Sequence, residues 1–233
     1  MLGEEENNMN STEGRADSPA TWHLKVDRRR LFPPGDRTAT TRLQFIAAAN
    51  DARRLEGFIR SVRGQLGDEL RLNDVEKRFR EGELQYLFRI LCGHLYECGL
   101  AYQALLRADP ATIRELAAVF PGVERAREFI SSVYLDQSRA GFFMRVLKAI
   151  RDSGAFHYGL FAKGSFDADL PPQAELIIDE SSTLSRYAIT DMFSAALLGK
   201  ILGKERAAFQ RAAEQALQLG VEVARFADPS VDT

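Results

Sequence analysis

The stretch LQYLFRILCGHLYECGLAYQAL, residues 84–105, decides the fold predicted for this chain. Its main apolar face repeats every three or four residues, which is the spacing of one side of an α-helix. Phe88, Ile90 and Leu100 add apolar groups outside that face, so the helix should be buried on most sides. The sequence therefore predicts an all-α, multi-helix bundle with this helix at its centre. The residues of the main face are Leu84, Leu87, Leu91, Leu95, Cys98, Tyr102 and Leu105.

Capping residues and apolar spacing predict the helices around this centre. The central helix should begin at the capping residue Asn73 and extend to Arg107. Asp109-Pro110 reads as a cap followed by a first-turn proline, and Pro121-Gly122 should end the helix that begins there. A further helix should begin near Asp136 or Ser138 and lead into residues 149–158. The remaining helices are predicted at about residues 38–64, 123–134, 190–202 and 204–226, with an interruption at Gly203.

The predicted organisation is one helical domain between polar ends. Residues 1–20 hold five acidic side chains against one arginine and almost no large apolar group, so they should form a disordered acidic tail. We expect a basic, extended linker at residues 21–37, the helical domain at 38–227 and a frayed C-terminus at 228–233. Short apolar runs near 174–188 are compatible with a small β-hairpin inside that domain.

Composition and charge exclude several classes of protein. The formal net charge is -2, and the chain outside the acidic tail is close to neutral, so it lacks the strong basic field of a non-specific nucleic-acid binder. No apolar run reaches the roughly 18 residues of a membrane span, and the polar N-terminus has no secretory pattern. Cys92 and Cys98 lie in one helix and are poorly placed to bond each other. We therefore expect a reduced, cytoplasmic protein without membrane contact.

The linker contains a short basic run, Arg28, Arg29 and Arg30. A run of this kind is usually a solvated face. Its alternative is an arm that contacts phosphate groups, which would make these arginines substrate-binding residues. Under that alternative the protein is a nucleic-acid-binding accessory protein.

The candidate catalytic residues lie in AIRDSGAFHY, residues 149–158. Arg151 offers a fork of N–H donors that matches phosphate oxygens. His157 can accept or donate a proton near neutral pH, and Asp152 can orient that imidazole or hold the arginine. Together these residues offer the groups that cleavage of RNA without a metal requires. One group activates the 2′-hydroxyl, one protonates the leaving oxygen, and a cation stabilises the transition state.

Two neighbouring residues are candidates for binding the substrate. The Ser153 hydroxyl can hydrogen-bond a phosphate oxygen, and the Tyr158 ring can stack on a base. The alternative is purely structural, with Arg151 near the C-terminal end of a helix dipole and His157 in the following turn. Phe156 and Tyr158 are then core residues, and the protein is a non-enzymatic helical module that binds a protein partner.

The spacing of Arg151 and His157 sets a geometric condition. Six positions along a continuous helix separate two side chains by roughly 240° in direction and about 9 Å along the axis. The two residues therefore cannot share one face of a straight helix. Either Gly154 bends the chain, or a symmetric dimer brings an arginine and a histidine together from both subunits.

The segment from Arg151 to His157 resembles the R-x(4–6)-H motif of the HEPN superfamily of helical bundle proteins. Five residues separate the arginine from the histidine, and the polar Asp152 follows the arginine, as is frequent in that family. The resemblance implies a homodimer with a composite cleft and, in active members, endoribonuclease activity that needs no metal or other cofactor. It also implies a role in a toxin–antitoxin or phage-defence system, with RNA as substrate and an antitoxin or other protein as partner.

A second match to the same motif occurs at Arg89-Ile-Leu-Cys-Gly-His94. We discount it because it lies within the apolar central helix. Cys92, His94 and Cys98 also suggest zinc, but only His94 and Cys98 share a helix face and no fourth ligand is evident. The sequence therefore predicts no metal site, and His94 with Glu97 and Cys98 reads as a polar cluster on a buried helix.

Overall fold

The computed structural model is almost entirely helical over the part of the chain that it describes. That part comprises residues 33, 35–67, 74–152, 198–199, 201–203 and 206–227. The α-helices are α1, Arg37–Gly67; α2, Asp74–Ala108; α3, Pro110–Val119; α4, Pro121–Leu135; and α5, Arg206–Ala227. A π-helix, Phe143–Lys148, lies between α4 and α5. These described residues contain no β-strand, so the predicted all-α bundle is confirmed.

Some predicted segments lie outside the described residues. They are the acidic tail at 1–20, the hairpin near 174–188 and the C-terminus at 228–233, together with most of the linker at 21–37. The helix predicted at 190–202 is described only near its end, and each of its described positions is helical.

Helix α2 is the centre of the bundle, as its sequence predicts. Helix α1 packs along it most extensively, and α5 and the π-helix pack against its other sides. Five residues of its inner face have no exposed surface: Leu91, Cys92, Leu95, Cys98 and Tyr102. They pack with side chains of α1, α4 and α5 in one apolar core.

A glycine allows α4 to approach this central helix closely. A Cβ atom at Gly99 would lie 2.6 Å from Cδ1 of Tyr134 and 2.7 Å from Cε2 of Phe143. At this short separation the Tyr134 hydroxyl donates a 2.6 Å hydrogen bond to the carbonyl oxygen of Leu95. The absence of a side chain at Gly99 thus lets the Tyr134 and Phe143 rings pack directly on the central helix.

The junction between α3 and α4 differs from the prediction. Asp109 caps α3 as expected, because its side chain accepts a hydrogen bond from the Thr112 backbone N–H. Helix α3 ends at Val119, however, and Pro121 is the first residue of α4. The predicted end of this helix near Pro121-Gly122 is therefore confirmed, but α4 begins at Pro121 and not at the predicted Val123. Proline has no N–H to donate and its φ is already helical, so it also suits a first helical turn.

The segment before the candidate site begins later than predicted. Residues 136–141 form a turn in which the Ser138 N–H donates to the Asp136 side chain at 3.1 Å. The helix starts only at Phe142 and is widened into a π-helix over Phe143–Lys148. The prediction of a start at Asp136 or Ser138 was therefore wrong. Asp136 and Ser138 form a local hydrogen bond instead, as aspartate and serine commonly do in turns.

The last described helix follows the prediction closely. Gly203 has a positive φ of 88° and separates α5 from the helical residues before it. Helix α5 begins within two residues of the predicted start and ends within one of the predicted end. No helix among the described residues combines the length and hydropathy that crossing a lipid bilayer requires.

The two cysteine thiols should be unreactive in the folded protein. Both are buried and free, and burial raises the pKa of Cys98 to about 12 and that of Cys92 still further. Since the thiolate is the nucleophile, iodoacetamide at neutral pH should leave the native protein unmodified and alkylate both residues in guanidinium chloride. Mass spectrometry measures the difference. Rapid modification of the native protein would contradict the burial of these side chains within α2.

Candidate functional site

The described part of the chain contains two of the predicted site residues, Arg151 and Asp152. Ser153, His157 and Tyr158 lie outside it, and so do the arginines at 28–30. The predicted meeting of Arg151 and His157 therefore stays a prediction. The described residues form the environment of the Arg151 side chain.

Two carboxylates and an aromatic ring hold the Arg151 guanidinium. Its Nε donates to Glu97 Oε1 at 3.1 Å, and its Nη2 lies 3.0 Å from the same oxygen. Its Nη1 donates to Asp152 Oδ1 at 3.0 Å. The ring of Tyr96 lies under the guanidinium, with its centroid 5.4 Å from Cζ, which adds a cation–π attraction. Glu97 and Tyr96 belong to α2, so the central helix determines where the arginine points.

This arrangement leaves part of the guanidinium available to a ligand. Arginine carries five N–H donors, and the contacts with Glu97 and Asp152 occupy three of them. Among the described residues, the other two N–H groups have no partner. About a third of the Arg151 side chain, 33%, is exposed.

Asp152 contacts two cations, which keep its carboxylate ionised. Lys148 Nζ donates to Asp152 Oδ2 at 2.5 Å, while Arg151 occupies the other oxygen. Partial burial favours a higher pKa for Asp152, but the hydrogen bonds from Lys148 and Arg151 outweigh it and lower the pKa below its usual value. The same contact with Asp152 is the main reason that the pKa of Arg151 is raised. Asp152 therefore has no proton to donate at neutral pH.

A row of polar side chains continues from Arg151 across α2 to α1. His94 and Glu97 are three positions apart on α2, so their side chains are neighbours on its surface. His94 Nδ1 lies 3.9 Å from Asp51 Oδ2 on α1, which permits an ion pair but is too long for a hydrogen bond. The row thus runs Asp51, His94, Glu97, Arg151. Cys98 is buried in the core, away from this row.

The second motif match does not form a site. Arg89 and His94 are five positions apart on a continuous α-helix, so their side chains point about 140° apart. Arg89 is buried and His94 is about a third exposed. Within the described residues there is also no group of three side chains that could hold a metal ion.

Sequence reasoning missed several members of the site. Lys148 was detectable, since a lysine four positions before Asp152 faces that aspartate on a helix. Tyr96 and Asp51 carried no such local signal. Glu97 was seen only as a neighbour of His94, because its contact with Arg151 depends on how the residues after the π-helix pack on α2.

Comparison with known proteins identifies no relative of this chain. No family model matches the chain, and neither a curated protein nor a solved structure matches it at a significant level. The resemblance to the HEPN superfamily therefore depends on the residues from Arg151 to His157 alone.

Proposed function

We propose that the protein is a HEPN-like, metal-independent endoribonuclease of the toxin or phage-defence type that acts as a homodimer. The observation that supports this proposal best is the state of Arg151. Its guanidinium is oriented by Glu97 and Asp152, its side chain is partly exposed, and two of its N–H groups have no partner among the described residues. A guanidinium held in this way can bind a phosphate without paying for reorganisation at the moment of reaction.

In the proposed reaction, His157 of one subunit removes the proton of a ribose 2′-hydroxyl. The 2′-oxygen then forms a bond to phosphorus while the bond from phosphorus to the 5′-oxygen breaks. His157 of the second subunit donates a proton to that leaving oxygen, and the products are a cyclic 2′,3′-phosphate and a 5′-hydroxyl. Arg151 stabilises the extra negative charge on the phosphate, while Ser153, Tyr158 and residues 28–30 hold the substrate.

A cleavage assay tests this proposal. A fluorescently labelled single-stranded RNA is incubated with the full chain in the presence of a chelator, and the products are separated on a gel. Arg151→Ala and His157→Ala should each reduce cleavage by about 10²-fold or more. His94→Ala is the matched histidine control and should retain activity. A mass measurement in solution should show a dimer at the assay concentration.

Several outcomes would contradict the proposal. Cleavage that survives His157→Ala would show that this histidine is not the acid or base. Loss of cleavage in His94→Ala alone would show that His94, and not His157, is the histidine that acts as acid or base. An active monomer would exclude the composite cleft.

The second candidate is a non-enzymatic helical module that binds a protein partner. It is supported by an apolar groove of about 460 Å³ between α1, α2 and α5, lined in part by Ile59, Phe88 and Leu217. Here the bonds from Arg151 to Glu97 and Asp152 only hold the fold together. The wild type should then not cleave RNA, and Arg151→Ala should lower the thermal midpoint. RNA binding without cleavage would instead support the nucleic-acid-binding accessory protein.

A further inference from the structure

The contacts of Arg151 use the N–H groups of its guanidinium unevenly. Nε and Nη2 lie 3.1 Å and 3.0 Å from the same oxygen of Glu97, and Nη1 donates to Asp152 at 3.0 Å. A guanidinium carries one N–H on Nε and two on each terminal nitrogen. Among the described residues, the N–H groups without a partner are therefore one on Nη1 and one on Nη2, at the end of the fork.

Glu97 fixes the direction of this fork. Its carboxylate covers the edge formed by Nε and Nη2, so the terminal edge formed by Nη1 and Nη2 points away from it. Glu97 belongs to α2, whereas Arg151 follows the π-helix, so the contact ties the guanidinium to the central helix. The Glu97 side chain is 47% exposed, and an ion pair this exposed contributes little to stability. Its effect on the arginine can therefore be measured apart from any effect on folding.

The Tyr96 ring fixes the plane of the guanidinium. Arg151 Cζ lies 5.4 Å from the centroid of this ring. Tyr96 itself stacks on Phe143, with the ring centroids 4.8 Å apart and an interplanar angle of 15°. Phe143 is buried and meets the Tyr134 ring edge-on, so the packed core holds it in place. The Tyr96 ring thus keeps its orientation, and the cation–π attraction keeps the guanidinium over it.

We propose that Glu97 and Tyr96 are positioning residues that aim the terminal edge of Arg151 at one phosphate group, which Arg151 binds through two N–H groups at once. The proposal rests on the function proposed above and states how its arginine meets the substrate. Two N–H groups on neighbouring nitrogens match two oxygens of a phosphate, whereas a lysine ammonium acts as a point charge. Arg151 and Lys148 balance the charges of the two carboxylates, so the cluster as a whole does not repel an anion.

Phosphate binding measured at Arg151 tests this arrangement without RNA. The full chain, made with isotope-labelled arginine, is titrated with inorganic phosphate and followed by NMR at the Nε–H signal of Arg151, which disappears in Arg151→Lys. Glu97→Ala and Glu97→Gln both remove the charge, but only glutamine keeps an oxygen that accepts from Nε. Glu97→Ala should therefore bind phosphate about fivefold more weakly than Glu97→Gln. Tyr96→Leu should likewise bind more weakly than Tyr96→Phe, which keeps the ring.

Two contacts elsewhere on α2 supply matched controls. The Arg89 guanidinium lies over the Tyr86 ring, with Cζ 5.9 Å from the centroid, and Glu83 pairs with Arg80. Tyr86→Leu and Glu83→Ala remove a similar cation–π contact and a similar ion pair, so both should leave phosphate binding at Arg151 unchanged. Thermal midpoints measured for every variant show that each is folded.

The proposal is overturned if Glu97→Ala binds phosphate as tightly as Glu97→Gln and Tyr96→Leu as tightly as Tyr96→Phe. It is also overturned if the Arg151 signal of the wild type does not respond to phosphate, or if the control variants weaken binding equally. RNA cleavage is a separate readout, in which Arg151→Lys should be as impaired as Arg151→Ala. A protein that shows the expected differences in phosphate binding but cleaves no RNA would contradict the nuclease proposal and leave the positioning of Arg151 intact.

Discussion

Replacing Gly99 with alanine should lower the free energy of unfolding by about 2–3 kcal/mol, although alanine is the better helix former. The added methyl group would lie 2.6 Å from the Tyr134 ring and 2.7 Å from the Phe143 ring, well inside van der Waals contact. Both rings are buried, so neither can move aside without disturbing the core. Displacing Tyr134 would also weaken its hydrogen bond to the Leu95 carbonyl oxygen.

The same substitution on α1 is the control. Gly57 is exposed in a helix interior, and a Cβ atom there would meet nothing within 4 Å. Gly57→Ala should therefore stabilise the protein by about 0.5–1 kcal/mol, since glycine loses more backbone freedom on folding than alanine. Urea unfolding followed by circular dichroism measures both variants. If Gly99→Ala were as stable as Gly57→Ala, α4 would not pack on α2 as described.

Replacing Asp109 with alanine should cost about 2–3 kcal/mol at neutral pH, from the loss of a helix cap and of a hydrogen bond to a charged group. Asp109 is only 9% exposed, and Arg42 Nε donates to its Oδ2 at 2.7 Å while Arg42 Nη2 contacts the same oxygen. Its other carboxylate oxygen accepts from the Thr112 backbone N–H and so caps α3. One aspartate thus joins α1 to the start of α3.

The effect of Asp109 should depend on pH in a defined direction. Burial favours a higher pKa for this carboxyl, but the hydrogen bonds from Arg42 and Thr112 outweigh it and lower the pKa below its usual value. A group whose pKa falls on folding stabilises the protein above its unfolded pKa, about 3.9 for aspartate, and loses that contribution as pH falls through its folded pKa. The difference between wild type and Asp109→Ala should therefore be largest near neutrality and shrink below about pH 4.

Two matched variants separate the parts of this effect. Asp109→Asn keeps an N-cap side chain but removes the charge, so it should be less damaging than alanine and should lack the acid-dependent change. Glu124→Gln removes the carboxylate from an ion pair with Arg127 within α4, at an exposed surface, and should change stability far less. Urea titrations at several pH values measure all of them. An Asp109→Ala difference that stays constant down to the acid range would contradict the ion pair with Arg42.

Much of the fold could be predicted because its signals are local. The repeat of apolar residues from Leu84 to Leu105 identified the central helix, and Asp109-Pro110 identified the start of α3. The errors occurred where a local signal has two meanings. Pro121 suits the first turn of a helix as well as the end of the one before it. Ser138 suits a turn as well as a cap, and an apolar pattern that fits an α-helix did not reveal the π-helix.

The candidate site was predictable only in part. Arg151 and Asp152 could be selected from the sequence because an arginine and its polar neighbour belong to a short motif. Their actual partners could not all be found in this way. Glu97 is 54 positions away from Arg151 along the chain, and only the packing on α2 brings the two together.

By itself the sequence determined that this protein is a helical bundle, where most of its helices lie and which helix is central. These properties depend on spacing over a few residues, which side-chain periodicity and capping record directly. Only the tertiary structure decided that the rings of Tyr134 and Phe143 pack against Gly99. It likewise decided that Glu97 and Tyr96 orient Arg151. Each of these contacts joins residues far apart in the chain, so each depends on how the helices pack.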